Sequence, residues 1–210
     1  MEKIIIDIDK QKVRTINNSR TKYGSAKDKA LTDTKVKEIY SQMEDLKDKV
    51  IFILGAYAGL RVGEIVQCRK SWLKSNTLNG HKVLEIHIPN KDSNMRSGER
   101  YWQPKTKRSR VTYLFEEGMT EVVKTYYSLN KSLDLSERAI QNRCYKFAGT
   151  SPHALRATAQ NYMNFILNLS MGVVASLLGH QDVRTTMKHY QTLNHAQAES
   201  YLINHFNSPQ

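Results

Sequence analysis

Apolar residues recur along the chain with a helical period, then alternate, and then return to a helical period. Residues 31–73 predict consecutive helices, the first capped by Asp33 or Thr34. Two strands are predicted, because "KVLEIHIP" (82–89) alternates and "SRVTYLF" (109–115) is rich in strand-forming residues. Further helices are predicted at roughly 117–130, 135–148, 153–168 and 171–178, near Tyr190, and at 195–206. This pattern predicts a mainly α fold with a small antiparallel β-sheet, of the α+β class.

The longest apolar run, "VIFILGAYAGL", is too short to cross a bilayer and predicts a buried helix. Glycines at Gly55, Gly59 and Gly63 suggest close helix packing there rather than a phosphate cradle. The two cysteines, Cys68 and Cys144, have neither disulfide-framework nor zinc-site spacing. The first residues lack the basic-then-apolar order of a signal peptide, so we expect a cytoplasmic protein without a membrane partner.

Charge is the informative part of the composition, with 32 lysines and arginines against 20 acidic residues and a net charge of +12. Such an excess favours a polyanionic partner, nucleic acid first and an anionic membrane second, over ordinary solubility charge. The basic residues are clustered, since residues 10–29 hold seven with one acid and residues 100–110 hold five with none. Clustering of this kind favours contact with a phosphate backbone.

Common nucleotide-binding and metal-binding motifs are absent from the sequence. The remaining polar candidates have ordinary explanations when taken singly. Arg61 and Glu64 can form a helical ion pair, and His153 can help to cap a helix. Arg156 can be a solvated helix residue, and His180 a turn residue.

Together, however, these residues fit attack on a DNA phosphodiester. That reaction needs a nucleophile, cations and hydrogen-bond donors for the non-bridging oxygens, and a proton for the departing 5′ oxygen. Arginines, histidines, a lysine and a tyrosine supply all of these, and no metal or other cofactor is then required. The tyrosine would be Tyr190, in "TTMKHY".

At this point the sequence resembles the tyrosine recombinases, or phage-type integrases. "GAYAGLRVGEI" is similar to their first motif, "SPHALRATA" to the His-x-x-Arg motif, "SLLGH" to the Leu-Gly-His turn and "TTMKHY" to the tyrosine helix. "PKTKRSRVTYL" is similar to the hairpin that carries the family's lysine. The motifs occur in family order over about residues 31–193, and this combination is far more specific than any one of them.

The resemblance implies a role for each matching residue. Arg61 and Arg156 would hold the scissile phosphate. His153 would hydrogen-bond to it and assist proton movement, and His180 would donate to a non-bridging oxygen. Tyr190 would form the 3′-phosphotyrosine. These roles are expectations from the family pattern.

Two supporting sets follow from the same resemblance. Glu64 would orient the active-site helix. The family's lysine best matches Lys105, with Lys107 in reserve because one register slip would exchange their exposure. Arg108 and Arg110, in the same basic segment, are predicted to contact DNA together with Lys107.

The chain also departs from the family pattern. Ala157 follows Arg156 where the family usually has histidine. His180 and Tyr190 are ten positions apart rather than the commoner nine, and one extra helical residue turns a side chain by about 100°. A longer turn at "QDVR" would absorb this difference, whereas Tyr201 is too distant to substitute.

We expect residues 1–30 to be a basic arm and residues 31–210 to be the catalytic domain, without the family's usual N-terminal core-binding domain. The chain would then be an excised catalytic domain or a minimal single-domain enzyme. The predicted function is site-specific recombination of double-stranded DNA, with self-assembly on DNA through the helix over 193–206. The alternatives are a type IB topoisomerase-like enzyme and a DNA-binding protein of the same fold that has lost catalysis.

Overall fold

A computed structural model describes residues 30–78, 80–91 and 103–180. Its helices and strands are α1 Asp33–Gln42, α2 Leu46–Ala56, α3 Val62–Gln67, β1 Leu73–Leu78, β2 His81–Ile88, β3 Arg110–Leu114, α4 Glu117–Leu129, α5 Glu137–Ala148, α6 Pro152–Asn161 and α7 Met171–Leu178. A 3-10 turn precedes β1, and a π-helical turn, Tyr162–Ile166, follows α6. The mainly helical fold with a small antiparallel sheet is therefore confirmed. Within these ranges no helix combines the length and apolarity needed to cross a bilayer.

The N-cap of the first helix lies one residue before the predicted caps. Thr32 has an extended backbone, and its hydroxyl accepts a hydrogen bond from the Lys35 N–H at 3.3 Å. Asp33 instead lies in the first turn, where its carboxylate pairs with Lys37 at 2.7 Å and faces the positive pole of the helix. The predicted caps, Asp33 and Thr34, are therefore wrong.

The sheet has three antiparallel strands in the order β1-β2-β3. Leu84 in β2 pairs with Leu114 in β3, and Leu73 in β1 pairs with Ile86 in β2. The two predicted strands are confirmed within one residue at each end. β1 was not predicted, because none of its residues is fully buried and its sequence, "LKSNTL", lacks apolar alternation.

The apolar run forms the predicted buried helix, α2, with every residue from Val50 to Ala56 buried. Gly55 lets α6 approach closely, since a Cβ there would lie 3.1 Å from the Cβ of Leu155. Gly59 has a φ of 67° and also packs against the Leu178 side chain at the end of α7. Close packing is therefore confirmed at these two glycines, and the second contact brings two of the motifs together.

The second half of the chain matches the predicted helices with one change. The helix predicted over 153–168 is divided, because α6 ends at Asn161 and the π-helical turn follows it. α7 has the predicted bounds and ends at Gly179, whose φ is 64°. The arm over 1–29 and the helices predicted near Tyr190 and over 195–206 lie outside the described residues.

Candidate active site

The start of α3 carries the first motif. Arg61 is the N-cap residue, and its backbone N–H donates to Glu64 Oε2 at 2.7 Å. Its guanidinium Nη1 also donates to Glu64 Oε1 at 3.0 Å. The ion pair expected from the i,i+3 spacing is therefore present. The backbone bond additionally fixes the glutamate to the first turn of the helix, so the two residues hold each other in place.

Two more arginines reach the same glutamate from distant elements. Arg110, on β3, donates through Nη2 to Glu64 Oε2 at 2.6 Å, and only 6% of its side chain is exposed. Arg156, on α6, is 5% exposed and has Nη1 at 3.9 Å from Glu64 Oε2. The solvated alternative for Arg156 is therefore wrong. The predicted DNA contact of Arg110 stays a prediction, and in the structure its guanidinium binds protein acceptors. We call Arg61, Glu64, Arg110 and Arg156 together the arginine cluster.

The three arginines also meet the C-terminal end of α7. Helix ends leave their last carbonyls without intrahelical partners, and these carbonyls form the negative pole of the helix. Here three consecutive carbonyls each accept a hydrogen bond from a different guanidinium: Leu177 from Arg110, Leu178 from Arg156, and Gly179 from Arg61 at 3.1 Å. The helix end therefore positions all three cations.

The arginine cluster holds more positive than negative charge. Burial alone would raise the pKa of the Glu64 carboxyl, but Arg110, Arg156 and Arg61 outweigh it and leave that pKa below its usual value. Burial, with Arg110 and Arg61 as neighbours, lowers the pKa of Arg156 well below its usual value. Three guanidiniums around one carboxylate form an environment that favours a further anion.

His153 lies in the first turn of α6, after Ser151, whose hydroxyl caps that helix by accepting from the Ala154 N–H at 3.3 Å. The pKa of His153 is lowered by partial removal from water and then by the charges of Arg156, Arg61 and Lys105. The lowered pKa favours the neutral form of the imidazole. The charges that act on His153 thus come from two of the motifs and from the hairpin.

Lys105, Lys107 and Arg108 are exposed on the connection that leads into β3, and we call them the basic turn. The Lys107 N–H donates to the Pro104 carbonyl at 2.8 Å, and Lys107 has a φ of 51°. Lys105 acts electrostatically on His153. Lys105 as the match to the family's lysine, with Lys107 in reserve, stays a prediction.

His180 directly follows the end of α7, where its N–H donates to the Ala175 carbonyl at 2.9 Å. It is partly buried and adjoins Gly179, whose carbonyl binds Arg61. Because His180 is the next residue after Gly179, its backbone lies beside the arginine cluster. Tyr190 lies outside the described residues, and its position relative to the cluster stays a prediction.

Sequence reasoning missed the structural role of β3. Arg110, Thr112 and Leu114 share one face of the strand, and Thr112 and Leu114 are fully buried. The Thr112 hydroxyl donates to the Ala58 carbonyl at 2.9 Å, which ties β3 to the segment before Arg61. Strand alternation would have placed Arg110 on the buried face with Leu114.

This fold and cluster define the class of protein. The chain superposes on the XerA recombinase crystal structure (TM-score 0.59, 19% identity, 86% of this chain and 64% of that one). It also superposes on XerH bound to palindromic difH substrate in a post-cleavage complex (TM-score 0.55, 16% identity, 81% of this chain and 51% of that one). A further match is the Tn1549 transposon integrase with transposon right end DNA (TM-score 0.53, 15% identity, 83% of this chain and 65% of that one). The chain therefore has the catalytic-domain fold of the tyrosine recombinases.

The sequence comparison agrees with this class. Tyrosine recombinase XerA of Pyrococcus horikoshii is 29% identical over 170 residues, which cover 75% of this chain and 55% of the relative. No family model matches the chain. The predicted resemblance to the tyrosine recombinases is confirmed, and the chain spans little more than half of this relative's length.

Proposed function

We propose that this chain is a site-specific recombinase that cleaves and rejoins double-stranded DNA in the cytoplasm through a 3′-phosphotyrosine, without metal or ATP. The observation that carries the proposal is the arginine cluster, in which three guanidiniums share one buried carboxylate. A phosphodiester in its attacked state gains negative charge on its non-bridging oxygens. Preorganised donors in a partly buried site stabilise that charge with little reorganisation.

Arg61 is the guanidinium best placed to meet a phosphate, since 25% of its side chain is exposed while two of its nitrogens are already fixed. Arg156 supplies a second, more buried positive charge. The neutral imidazole of His153 accepts or relays a proton, and exposed Lys105 protonates the departing 5′ oxygen. His180 donates to a non-bridging oxygen. Each residue thus has one role in the same transfer.

The nucleophile in this proposal is Tyr190. Its hydroxyl gives its proton to the His153 imidazole and attacks phosphorus, the 5′ oxygen leaves with the proton from Lys105, and the tyrosine becomes esterified to the 3′ phosphate. Reversal by an incoming 5′ hydroxyl restores the phosphodiester and frees the tyrosine. Because the phosphotyrosine bond replaces the bond that was broken, religation needs no external energy source.

Double-stranded DNA is the proposed partner, in line with the DNA present in the XerH and Tn1549 integrase structures and with this chain's net charge of +12. We further propose assembly on DNA, assisted by residues 193–206, in which Ala198, Tyr201, Leu202 and Phe206 would share one helical face. Truncation after Thr192 should lower recombination more than cleavage of a single duplex. Equal losses of recombination and of cleavage would indicate that residues 193–206 pack against the domain of their own chain.

Covalent trapping tests the chemistry. The protein is incubated with a nicked duplex from which the 5′ fragment diffuses away after cleavage, and adducts are separated under denaturing conditions. We expect a stable protein–DNA adduct that also forms in excess EDTA. No adduct on any target-containing duplex would contradict the proposal, and cleavage that needs magnesium would indicate a metal-dependent nuclease.

A second assay separates recombination from relaxation. A plasmid with two marked target sites should yield exchanged products when the enzyme is a recombinase. Relaxation of supercoils without exchange would instead indicate a type IB topoisomerase-like enzyme. Binding without adduct, exchange or relaxation would indicate a DNA-binding protein of the same fold.

A further inference from the structure

Arg110 occupies a position that none of the assigned roles explains. Its side chain crosses from β3 to two other elements, where Nη2 meets Glu64 on α3 and Nη1 meets the Leu177 carbonyl at the end of α7. We infer that Arg110 is a positioning residue, which fixes the spacing between Glu64 and the Leu177–His180 turn so that Arg61 and His180 bind one phosphate. This inference rests on the proposed function.

Burial separates Arg110 from the residues that would contact DNA. Its side chain is 6% exposed, and both terminal nitrogens donate to protein acceptors. Its Nε is buried and has no hydrogen-bond partner in the described part of the chain. Little of this guanidinium is therefore accessible to a DNA phosphate, in contrast to the exposed side chains of the basic turn.

The link to Arg61 passes through Glu64. Arg110 binds Glu64 Oε2, and the same oxygen accepts the Arg61 N–H. The other oxygen, Oε1, accepts Arg61 Nη1. A carboxylate held on one side by Arg110 therefore orients the guanidinium on its other side. Loss of Arg110 would remove one of the contacts that orient Glu64 and would so loosen the position of Arg61.

The link to His180 passes through the turn at Gly179. A Cβ on Gly179 would lie 3.0 Å from Arg110 Nε and would collide with Cδ, so the arginine side chain fills the space that a larger residue would need. The hydrogen bond to Leu177 holds the same turn. His180 follows immediately. The side chain of Arg110 thus sets where this turn lies relative to β3, and Lys105 lies five residues earlier on the connection into that strand.

The decisive measurement compares the chemical step with DNA binding. Single-turnover adduct formation and duplex affinity are measured for wild type, Arg110→Met, Arg110→Lys and the control Arg143→Met. Arg143 is a matched control, because its Nη1 makes a 2.6 Å ion pair with Asp48 outside the arginine cluster. Folding is checked by circular dichroism and thermal unfolding.

We expect Arg110→Met to slow adduct formation about 100-fold, the scale of a small misplacement in an active site, with duplex affinity within about twofold. Arg110→Lys should slow adduct formation about tenfold, because one ammonium group cannot bind both Glu64 and the Leu177 carbonyl in the geometry of a guanidinium. Arg143→Met should keep the wild-type rate. A folded Arg110→Met or Arg110→Lys protein with the wild-type rate would overturn the inference, and the lysine variant decides when the methionine variant does not fold.

A double-mutant cycle excludes a purely structural role. If Arg110 acts by holding Arg61, then Arg110→Met should slow an Arg61→Lys enzyme much less than it slows wild type. Losses that simply multiply would show that Arg110 stabilises the fold independently, and would overturn the inference. A wild-type protein that forms no adduct would refute the proposed function itself, a result distinct from any difference among variants.

Discussion

The arginine cluster and the basic turn are built from the same residue types and differ in almost every physical respect. Arg108 and Arg110 are two residues apart, yet Arg108 is exposed whereas Arg110 is buried between a carboxylate and a helix end. In the cluster, each guanidinium has fixed protein acceptors. In the basic turn, the side chains extend into solvent.

The difference teaches that basic charge has two uses in one protein. A buried, oriented guanidinium stabilises charge at one defined point and is weakly screened by salt. An exposed lysine or arginine attracts DNA through counterion release, so that its contribution falls steeply as salt rises. Variants of the two regions should therefore separate cleavage rate from salt-dependent affinity.

The largest effect should follow from Tyr190→Phe, which removes the proposed nucleophile and leaves both basic regions unchanged. Covalent adducts should disappear, while duplex affinity stays near wild type, because only the attacking oxygen is lost. Denaturing gels and an equilibrium binding assay measure the two quantities. Adducts at the wild-type level would reject Tyr190, and Tyr201 would be examined next.

A large loss of stability is expected for Glu64→Gln, because it leaves three guanidiniums around a neutral amide. The free energy of unfolding should fall by about 3 kcal/mol, the scale of breaking a buried ion pair. Urea denaturation measures it. Glu38→Gln is the control, since Glu38 pairs with Lys35 at the surface and should cost at most about 0.5 kcal/mol. An equal fall in unfolding free energy for Glu64→Gln and Glu38→Gln would show that the buried ion pairs stabilise the fold no more than the exposed one.

The same variant carries a pH dependence. The pKa of Glu64 lies below its ordinary value of 4.5 in the folded protein, so its stabilising effect is complete above that value. The effect disappears as pH falls through the lowered folded-state pKa. The stability difference between wild type and Glu64→Gln should therefore shrink in acid. A difference that stays constant as the pH is lowered would mean that Glu64 is not ionised in this role.

Lys105→Ala and Lys107→Ala test the assignment within the basic turn. Lys105→Ala should slow cleavage by about 100-fold, the usual scale for loss of a general acid. A duplex with a 5′-thiol leaving group needs no protonation, so it should restore the rate of this variant. Lys107→Ala should cleave at the wild-type rate on saturating DNA. If only Lys107→Ala were slow, and the 5′-thiol duplex restored its rate, Lys107 rather than Lys105 would be the general acid.

The smallest effects belong to exposed charge. Replacing Lys107 and Arg108 together with alanine should weaken binding to all duplexes alike and reduce the salt slope by about 0.9 per lost contact. Removing residues 1–29 should act in the same way. Affinities measured across a salt series provide the slopes, and Arg110→Met should leave them unchanged. An altered slope in that variant would place Arg110 on DNA.

Much of the fold follows from the sequence because local patterns agree with tertiary contacts. The apolar run at α2 could only be buried, and α7 has a cap at each end that marks its limits. The motifs also identified residues that the structure brings together, since Arg61, Arg156 and Glu64 share one cluster. Chemistry and order along the chain were sufficient for these features.

The remaining features depend on contacts that no local pattern encodes. Strand alternation favours burial of Arg110, but its hydrogen-bond acceptors come from α3 and α7, which are distant in sequence. β1 is an edge strand whose pairing with β2, rather than its own composition, makes it a strand. The use of a helix end to hold three arginines likewise requires elements that are far apart in sequence.

That shared helix end has a consequence for biosynthesis. The three carbonyls at residues 177–179 bind guanidiniums that are 67, 22 and 118 positions earlier in the chain. During translation, all three arginines are therefore added to the chain before these carbonyls. A nascent chain that stops short of Gly179 therefore carries the cationic residues without the frame that aligns them. The helix end can therefore align the three guanidiniums only after residue 179 has been added.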